Sequence, residues 1–274
     1  MKKFLLNGKV IAITRPKKEA YELAKMISKL GGKPFIASTF ELKPIKNNIE
    51  KFILKLIKEK EKIHFLIFMS QNIVSMTIKA SEDLRLKNEF LKQLRRVKVV
   101  AIGPKTRIKL KSLGIKVAFM PSAYYSQGLI DYFKRVKLKG KTIVILRKKY
   151  ASKYLKSELK KLGAKVIQVP VYESIIPQKI SNVLSLINNL IKGKIHAITI
   201  MNPSAALNLF KIAREHRLSK ELKKAMNENV ITIALGPTTQ KTLNKLGIKS
   251  SLIPKKYTIE GMLKTLLEFF KKDC

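Results

Sequence analysis

Hydroxyls, cations and glycine–proline pairs recur at the ends of short apolar runs in this chain. Thr14-Arg15-Pro16, Met69-Ser70-Gln71-Asn72, Gly103-Pro104-Lys105-Thr106 and Arg147-Lys148 form one group. Met201-Asn202-Pro203-Ser204, Gly236-Pro237-Thr238-Thr239 and Tyr257-Thr258-Ile259-Glu260-Gly261 form a second. Apolar runs of this kind read as strands of an open α/β sheet, and such sheets bind ligands beyond the carboxyl ends of their strands. Several of these loops open a helix, where exposed backbone amides favour a carboxylate or phosphate. Ser70, Thr106, Ser204, Thr238 and Thr239 add hydroxyls, and Arg15 and Arg147 place cations where an anion would meet them. The implied site is free of metal and cofactor, built from amides, hydroxyls and a few cations. At this level enzyme and binding protein both remain open.

Each of these residues also has a plainer role. Ser70, Asn202 and Ser204 are ordinary helix N-cap types. The Gly103-Pro104 and Gly236-Pro237 pairs also suit tight strand-to-helix turns. His64 and His196 precede apolar runs, at the opposite end from the expected site, and read as structural. Glu41 and Glu173 lie in extended segments among lysines and make poor partners for paired-carboxylate chemistry.

Several function classes lack their signatures. No GxGxxG follows the first strand, and no GxxxxGK[ST], GxSxG or HExxH occurs. Three histidines are too dispersed for a zinc cluster, and the sole cysteine, Cys274, builds neither disulfide framework nor metal site. No apolar run approaches the roughly 18 residues of a membrane span. The basic start, Met1 to Leu6, lacks a signal-peptide core, so a cytoplasmic location is expected.

The formal charge of +40 has two readings. One is a polyanionic partner, nucleic acid or a small molecule rich in carboxylates. The other is a lysine- and isoleucine-rich composition that places lysine on every solvated face. Lys17, Lys18, Lys25 and Lys29, then Lys153, Lys156, Lys160 and Lys161, are scattered rather than gathered into a tract, which favours the second reading. Basic residues are not interleaved with aromatics as base stacking requires.

The elements that must position these residues occur twice. Arg15 recurs as Arg147, Gly31 as Gly163, Glu41 as Glu173 and His64 as His196, at an offset of 132 residues. After one inserted residue, Gly103 recurs as Gly236, Thr106 as Thr239, Gly114 as Gly247, Pro121 as Pro254 and Gly128 as Gly261. Such repetition implies two related lobes whose matching loops could line a cleft. Val10–Thr14 reads as a strand. Ala20, Leu23, Ala24, Ile27 and Leu30 then follow at helical spacing, Gly31-Gly32 stops the helix, and Phe35–Ala37 begins the next strand. Thr142–Leu146, the helix around Leu155 and Leu159, Gly163 and Val166–Val169 repeat the unit.

Extended segments follow at 39–43 and 171–175, then helices at Ile49–Ile57 and Ile180–Ile191. Further strands are expected at His64–Met69, Val97–Ile102, Val117–Met120, His196–Met201, Ile231–Leu235 and Ser251–Ile253. Apolar strands alternating with amphipathic helices indicate parallel α/β architecture. Periodicity leaves the division open: two halves split near residue 136, or an exchange in which the two extended segments cross together as a connector.

In their order, these motifs resemble the uroporphyrinogen-III synthase family. The carriers are Thr14-Arg15-Pro16, Gly31-Gly32, Ile67 through Val74, Ala101 through Thr106 with Leu110 and Gly114, and Val169-Pro170-Val171-Tyr172. Met201 through Ala205, Leu235 through Thr239 and Glu260-Gly261-Met262 complete a set spanning nearly the whole chain. The resemblance implies two flavodoxin-like parallel-sheet domains with a pseudo-twofold internal repeat, joined by a two-stranded connector. Residues 1–38 with 176–274 would form one domain, 43–170 the other, and 39–42 with 171–175 the connecting strands.

The resemblance further implies a monomeric, cofactor-independent enzyme that cyclises hydroxymethylbilane, a linear tetrapyrrole with eight carboxylates. Water is lost, ring D is inverted, and a spiro-pyrrolenine intervenes. The substrate would come by transient handover from hydroxymethylbilane synthase, with no nucleic acid or membrane partner. Tyr172 matches the family's important tyrosine, with Thr106 and Thr239 as further catalytic candidates. Packing of the connector is the plainer role of Tyr172. Thr14, Arg15, Ser70, Gly103, Lys105, Arg147, Asn202, Ser204, Gly236 and Thr238 become candidate substrate-binding residues.

The chain departs from the family pattern in places. Met69 stands where a threonine is frequent, Asn202 where a serine is frequent, and Phe40 occupies the repeat position of Tyr172. The competing classes are a noncatalytic polyanion binder and a nucleic-acid binder. The latter would show steep salt dependence.

Overall fold

The computed structural model describes residues 6–58, 63–249 and 251–272, and the side chains of all of these except Lys17, Lys18 and Lys272. Cys274 and the basic start before Leu6 lie outside the described residues.

Chain order begins β1 (Val10–Ile13), α1 (Lys17–Lys29), β2 (Lys33–Ile36), β3 (Glu41–Pro44), α2 (Lys46–Lys58) and β4 (Phe65–Phe68). It continues α3 (Gln71–Asp83), α4 (Lys87–Arg96), β5 (Lys98–Ala101), α5 (Pro104–Lys111), β6 (Val117–Phe119) and α6 (Ser126–Phe133). Then follow β7 (Thr142–Lys148), α7 (Tyr154–Lys161), β8 (Lys165–Ile175), α8 (Ser181–Ile191) and β9 (Ala197–Ile200). The remainder is α9 (Pro203–Glu215), α10 (Ser219–Glu228), β10 (Ile231–Ala234), α11 (Pro237–Lys245), β11 (Ser251–Leu252) and α12 (Ile259–Lys272).

The chain forms two compact units, Met1–Leu42 with Ile175–Cys274, and Lys43–Ser174. In the first, the strand order is β11-β10-β9-β1-β2, and β1 pairs in parallel with both β2 and β9. In the second, the order is β3-β8-β7-β4-β5-β6, and β4 pairs in parallel with β5 and β7. Strands from both sequence copies therefore share each sheet. The molecule is two α/β sheet domains joined by a connector: the chain passes between them within β3 and β8, which are hydrogen-bonded neighbours.

Burial explains the apolar runs. Every residue of Phe65–Phe68 and of Ala197–Ile200 is buried, because helices cover both faces of each sheet. In the first unit, Ile198, Ile200 and Leu209 belong to one core cluster and Ile11, Ile13 and Leu266 to another. In the second, Leu66, Val144 and Ile73 lie in one cluster, and Ile67, Ile145 and Leu155 in the other. Helix stops follow local chemistry: Gly31 and Gly163 adopt φ of 79° and 89°, the left-handed conformation that ends α1 and α7.

One element differs from expectation. The strand expected at Val166–Val169 and the extended segment after it are a single strand, β8, of 11 residues. Pro170 sits inside it where the register against β7 shifts, from Arg147 opposite Pro170 to Lys148 opposite Tyr172. A proline, lacking an N–H, is tolerated at such an irregularity, and the step leaves Tyr172 opposite Lys148.

Candidate functional site

In the second unit, the carboxyl ends of three adjacent strands are tied together. The Met69 N–H donates to the Leu146 carbonyl and the Ile102 N–H to the Phe68 carbonyl, both at 3.2 Å. Neighbouring strands lie about 4.8 Å apart, so Arg147, Ser70 and Gly103 occupy consecutive places along one sheet edge. The Ser70 Oγ accepts from the Ile73 N–H at 3.3 Å, so this hydroxyl caps α3. The start of α5 is built differently. Gly103 is its N-cap, Pro104 opens it, and no side chain caps it. Thr106, in the first turn, is 3% exposed, and its hydroxyl has no protein partner among the described residues. A Cβ on Gly103 would press to 3.4 Å from Tyr124, whose ring lies over this turn. Lys105 is exposed beside it.

The first unit has a comparable edge. The Leu235 N–H donates to the Ile200 carbonyl at 3.0 Å, and Asn202 Oδ1 caps α9 by accepting from the Ala205 N–H at 3.0 Å. Gly236 and Pro237 open α11 without a side-chain cap. Thr239 is 4% exposed, and its hydroxyl too has no protein partner among the described residues. Ser204 is half-buried and Thr238 exposed. Thr14 is placed differently from expectation: it is fully buried, and its hydroxyl donates to the Thr199 carbonyl at 2.8 Å, stitching β1 to β9. That hydroxyl is spent on the sheet.

The paired arginines part company. Arg15 is held by Glu19, one turn along at the start of α1. Arg147 has no such partner among the described residues. It is only 7% exposed, and its Nε and Nη1 are buried without an acceptor. Burial holds its pKa below the ordinary arginine value, although the group stays charged at any ordinary pH. The next residue, Lys148, is exposed in area, yet its ammonium is also pushed below the usual lysine range, first by lost hydration and then by the Arg147 charge. Glu173 does not relieve either cation: its carboxylate pairs with Lys149 at 3.0 Å. Tyr172 is half-buried, packs against the core cluster of α2 and α3, and accepts the Lys149 N–H on its carbonyl at 2.8 Å. Its repeat partner Phe40 is instead buried in the first unit's core.

Sequence reasoning missed Gln168. On β8 it stands opposite Ile145, on the same sheet face as Arg147 by strand alternation, and its Nε2 is buried without a partner. A lone amide in the apolar run Val166–Val169 was the available signal. The exposed ring of Tyr124 lies against Gly103 as that of Tyr257, in one of the expected loops, lies against Gly236, and the 133-residue spacing of the two tyrosines was the available signal for Tyr124.

The histidines sit at the amino ends of the sheets. His64 Nδ1 accepts the Thr142 N–H and His196 Nδ1 the Val10 N–H, each at 3.0 Å. A cavity lined by Asn48, Lys51, Phe52, Gln168 and Pro170 runs along the β8 side, and another by Lys9, His196 and Phe270. Neither contains Thr106, Thr239 or Tyr172. Among the described residues no three of His, Cys, Asp or Glu gather as a metal site, and no helix is long and apolar enough to cross a membrane.

Two α/β sheet domains joined through neighbouring strands, with hydroxyls and cations at strand ends, define the class of protein. A solved structure of this architecture is a mutant uroporphyrinogen III synthase from the extremely thermophilic bacterium Thermus thermophilus. It aligns at a TM-score of 0.66 and 18% identity, over 97% of this chain and 100% of that one. The family model described as uroporphyrinogen-III synthase HemD matches residues 21–264. The chain belongs to the uroporphyrinogen-III synthase family. A protein of Methanothermobacter thermautotrophicus named "Putative uroporphyrinogen-III synthase" is 30% identical over 264 residues, covering 96% of this chain and 99% of its own. The uroporphyrinogen-III synthase of Chlorobaculum parvum is 25% identical over 264 residues, covering 96% and 100%.

Proposed function

We propose that this protein converts hydroxymethylbilane to uroporphyrinogen III. The carrying observation is the family match over residues 21–264, on a chain that keeps Tyr172 and two buried threonines near strand ends whose hydroxyls have no partner among the described residues. The reaction makes modest demands on side-chain chemistry and severe ones on geometry. A proton passes to the terminal hydroxyl, which leaves as water. Pyrrole electrons expel it and leave an azafulvene cation. The substituted carbon of ring D attacks, giving a spirocyclic pyrrolenine. The original methylene bond between that carbon and ring C then breaks, leaving a second azafulvene on ring C, and the free α-carbon of ring D attacks its methylene, so that ring D is inverted. Loss of a proton from that carbon restores the aromatic pyrrole.

Tyr172 is the proposed proton donor, directly or through water. Thr106 and Thr239 offer hydrogen bonds to developing charge at the leaving group and the ring nitrogens. Amides at the uncapped starts of α5 and α11, with Lys105, Thr238 and Ser204, would take acetate and propionate arms. Ser70 and Asn202 shape those loops as caps. Holding a flexible chain in one folded geometry supplies much of the acceleration. This chemistry calls on no metal or organic cofactor. The high positive charge suits capture of an octacarboxylate.

The test is product analysis with freshly generated hydroxymethylbilane, separating type I and type III isomers after oxidation. Type III well above the spontaneous background is expected. Only type I from folded protein would overturn the reading and favour a noncatalytic polyanion binder.

A further inference from the structure

Buried donors without acceptors are rare in native structures, and each calls for an explanation. Among the described residues, the buried side-chain atoms in this condition are Arg147 Nε and Nη1, Gln168 Nε2 and Ser251 Oγ. Two of the three residues are in one unit, on adjacent strands and the same sheet face. Arg147 is the severe case, because a desolvated charge without a counter-charge costs far more than an unpaired amide. Among the described residues the usual internal remedy is missing. Glu173 is engaged by Lys149, and Lys148 adds a second positive charge beside the first. The repeat shows what a remedied site looks like, since Arg15 has Glu19. At the corresponding place after Arg147 the chain has Ala151, which lies outside α7.

We infer that Arg147 is the seat of one substrate carboxylate, with Gln168 as a neighbouring donor, and that the corresponding arginine of the other unit has been withdrawn from this role by Glu19. The inference rests on the proposed synthase reading and deepens it, because it makes the two copies unequal toward a substrate whose carboxylate arms are themselves unequally placed. A planar guanidinium receives a carboxylate through two parallel hydrogen bonds, so the seat fixes orientation as well as charge. Arg147 is 7% exposed, and the adjacent exposed Lys148 adds positive charge that would draw an anion toward it. An arginine kept for binding should weaken the free protein, since replacing an uncompensated buried charge by an apolar side chain relieves the desolvation penalty.

The experiment compares Arg147→Met, Arg147→Lys and Arg15→Met with the parent for thermal midpoint, KM and kcat on hydroxymethylbilane. Arg147→Met is expected to unfold at an equal or higher temperature and to raise KM at least tenfold. Arg147→Lys, which keeps the charge without the fork, should lie between. Arg15→Met should change KM much less than Arg147→Met. A folded Arg147→Met with KM within twofold of the parent would overturn the inference while leaving type III production intact. So would variants that lose stability and kcat with KM unchanged, the pattern of a structural arginine. If the parent forms only type I, the synthase reading fails, and citrate titration followed through the Arg147 Nε–H resonance decides the seat. A saturating shift supports it, and an unmoved resonance overturns it.

Discussion

The corner after β1 and the corner after β7 carry the same arginine in the repeat and differ in how they treat its charge. Arg15 meets Glu19 within the next helical turn. Arg147, at the end of the equivalent strand, meets no carboxylate among the described residues. The same inequality appears one element later, where Phe40 fills the first unit's core and Tyr172 keeps a polar tip at the end of the shared β7–β8 ladder. Other repeated pairs stay alike: Gly103 with Gly236 at uncapped helix starts, and Thr106 with Thr239 as buried hydroxyls. The repeat thus keeps the Gly-Pro helix starts and their buried threonines, and it differs at the arginine's partner and at the phenol.

The sharpest way to break the comparison is to exchange the phenol. Tyr172→Phe is expected to lower kcat by about a hundredfold, the scale of a lost general acid, with little change in thermal midpoint. Phe40→Tyr should leave turnover near the parent value but destabilise by about 1–3 kcal/mol, since it buries a hydroxyl without an arranged partner. A folded Tyr172→Phe with parental kcat would remove Tyr172 from proton transfer.

The symmetric threonines come next. Thr106→Val and Thr239→Val keep shape and remove hydroxyls that make no hydrogen bond to the described residues, so each should fold normally and lose about tenfold in kcat (roughly 1.4 kcal/mol of barrier). Loss from only one of the pair would show that the asymmetry extends to the helix starts.

A smaller effect is expected with pH. Burial, and secondarily Lys9, hold the His196 pKa below the ordinary value, and its Nδ1 must be unprotonated to accept the Val10 N–H. The folded state therefore resists a proton that the unfolded state takes up. This contribution is complete above the unfolded value of about 6.5 and declines as pH falls from there through the folded pKa. Urea unfolding across that window should show an acid-side loss that His196→Gln lacks. Equal slopes for parent and variant would contradict it.

The smallest change is at Glu19. Glu19→Gln leaves Arg15 charged and unpaired, in imitation of Arg147. Because the pair is partly exposed, the cost should be about 0.5–1 kcal/mol in chemical denaturation. A cost of several kcal/mol would mean that the two corners were less alike than their sequences.

Much of this molecule is legible in its sequence. Apolar runs located β4 and β9, glycines stopped α1 and α7, and Gly-Pro pairs marked the starts of α5 and α11, because strand burial, left-handed helix ends and proline at a first helical turn are set by residues close in sequence. The continuity of β8 was hidden by Pro170, whose meaning depends on a neighbouring strand able to shift register. Thr14 looked like a site hydroxyl until its carbonyl partner, Thr199, arrived from 185 residues away.

The sequence by itself determined the parallel α/β class, the internal repetition and the list of groups available for chemistry. Only the tertiary structure decided which of them are free to act. Whether a hydroxyl is spent on a carbonyl, or a guanidinium has a carboxylate beside it, depends on which strands become neighbours. That choice is made by burying apolar faces distant in sequence, to which Arg15 and Arg147 contribute almost nothing.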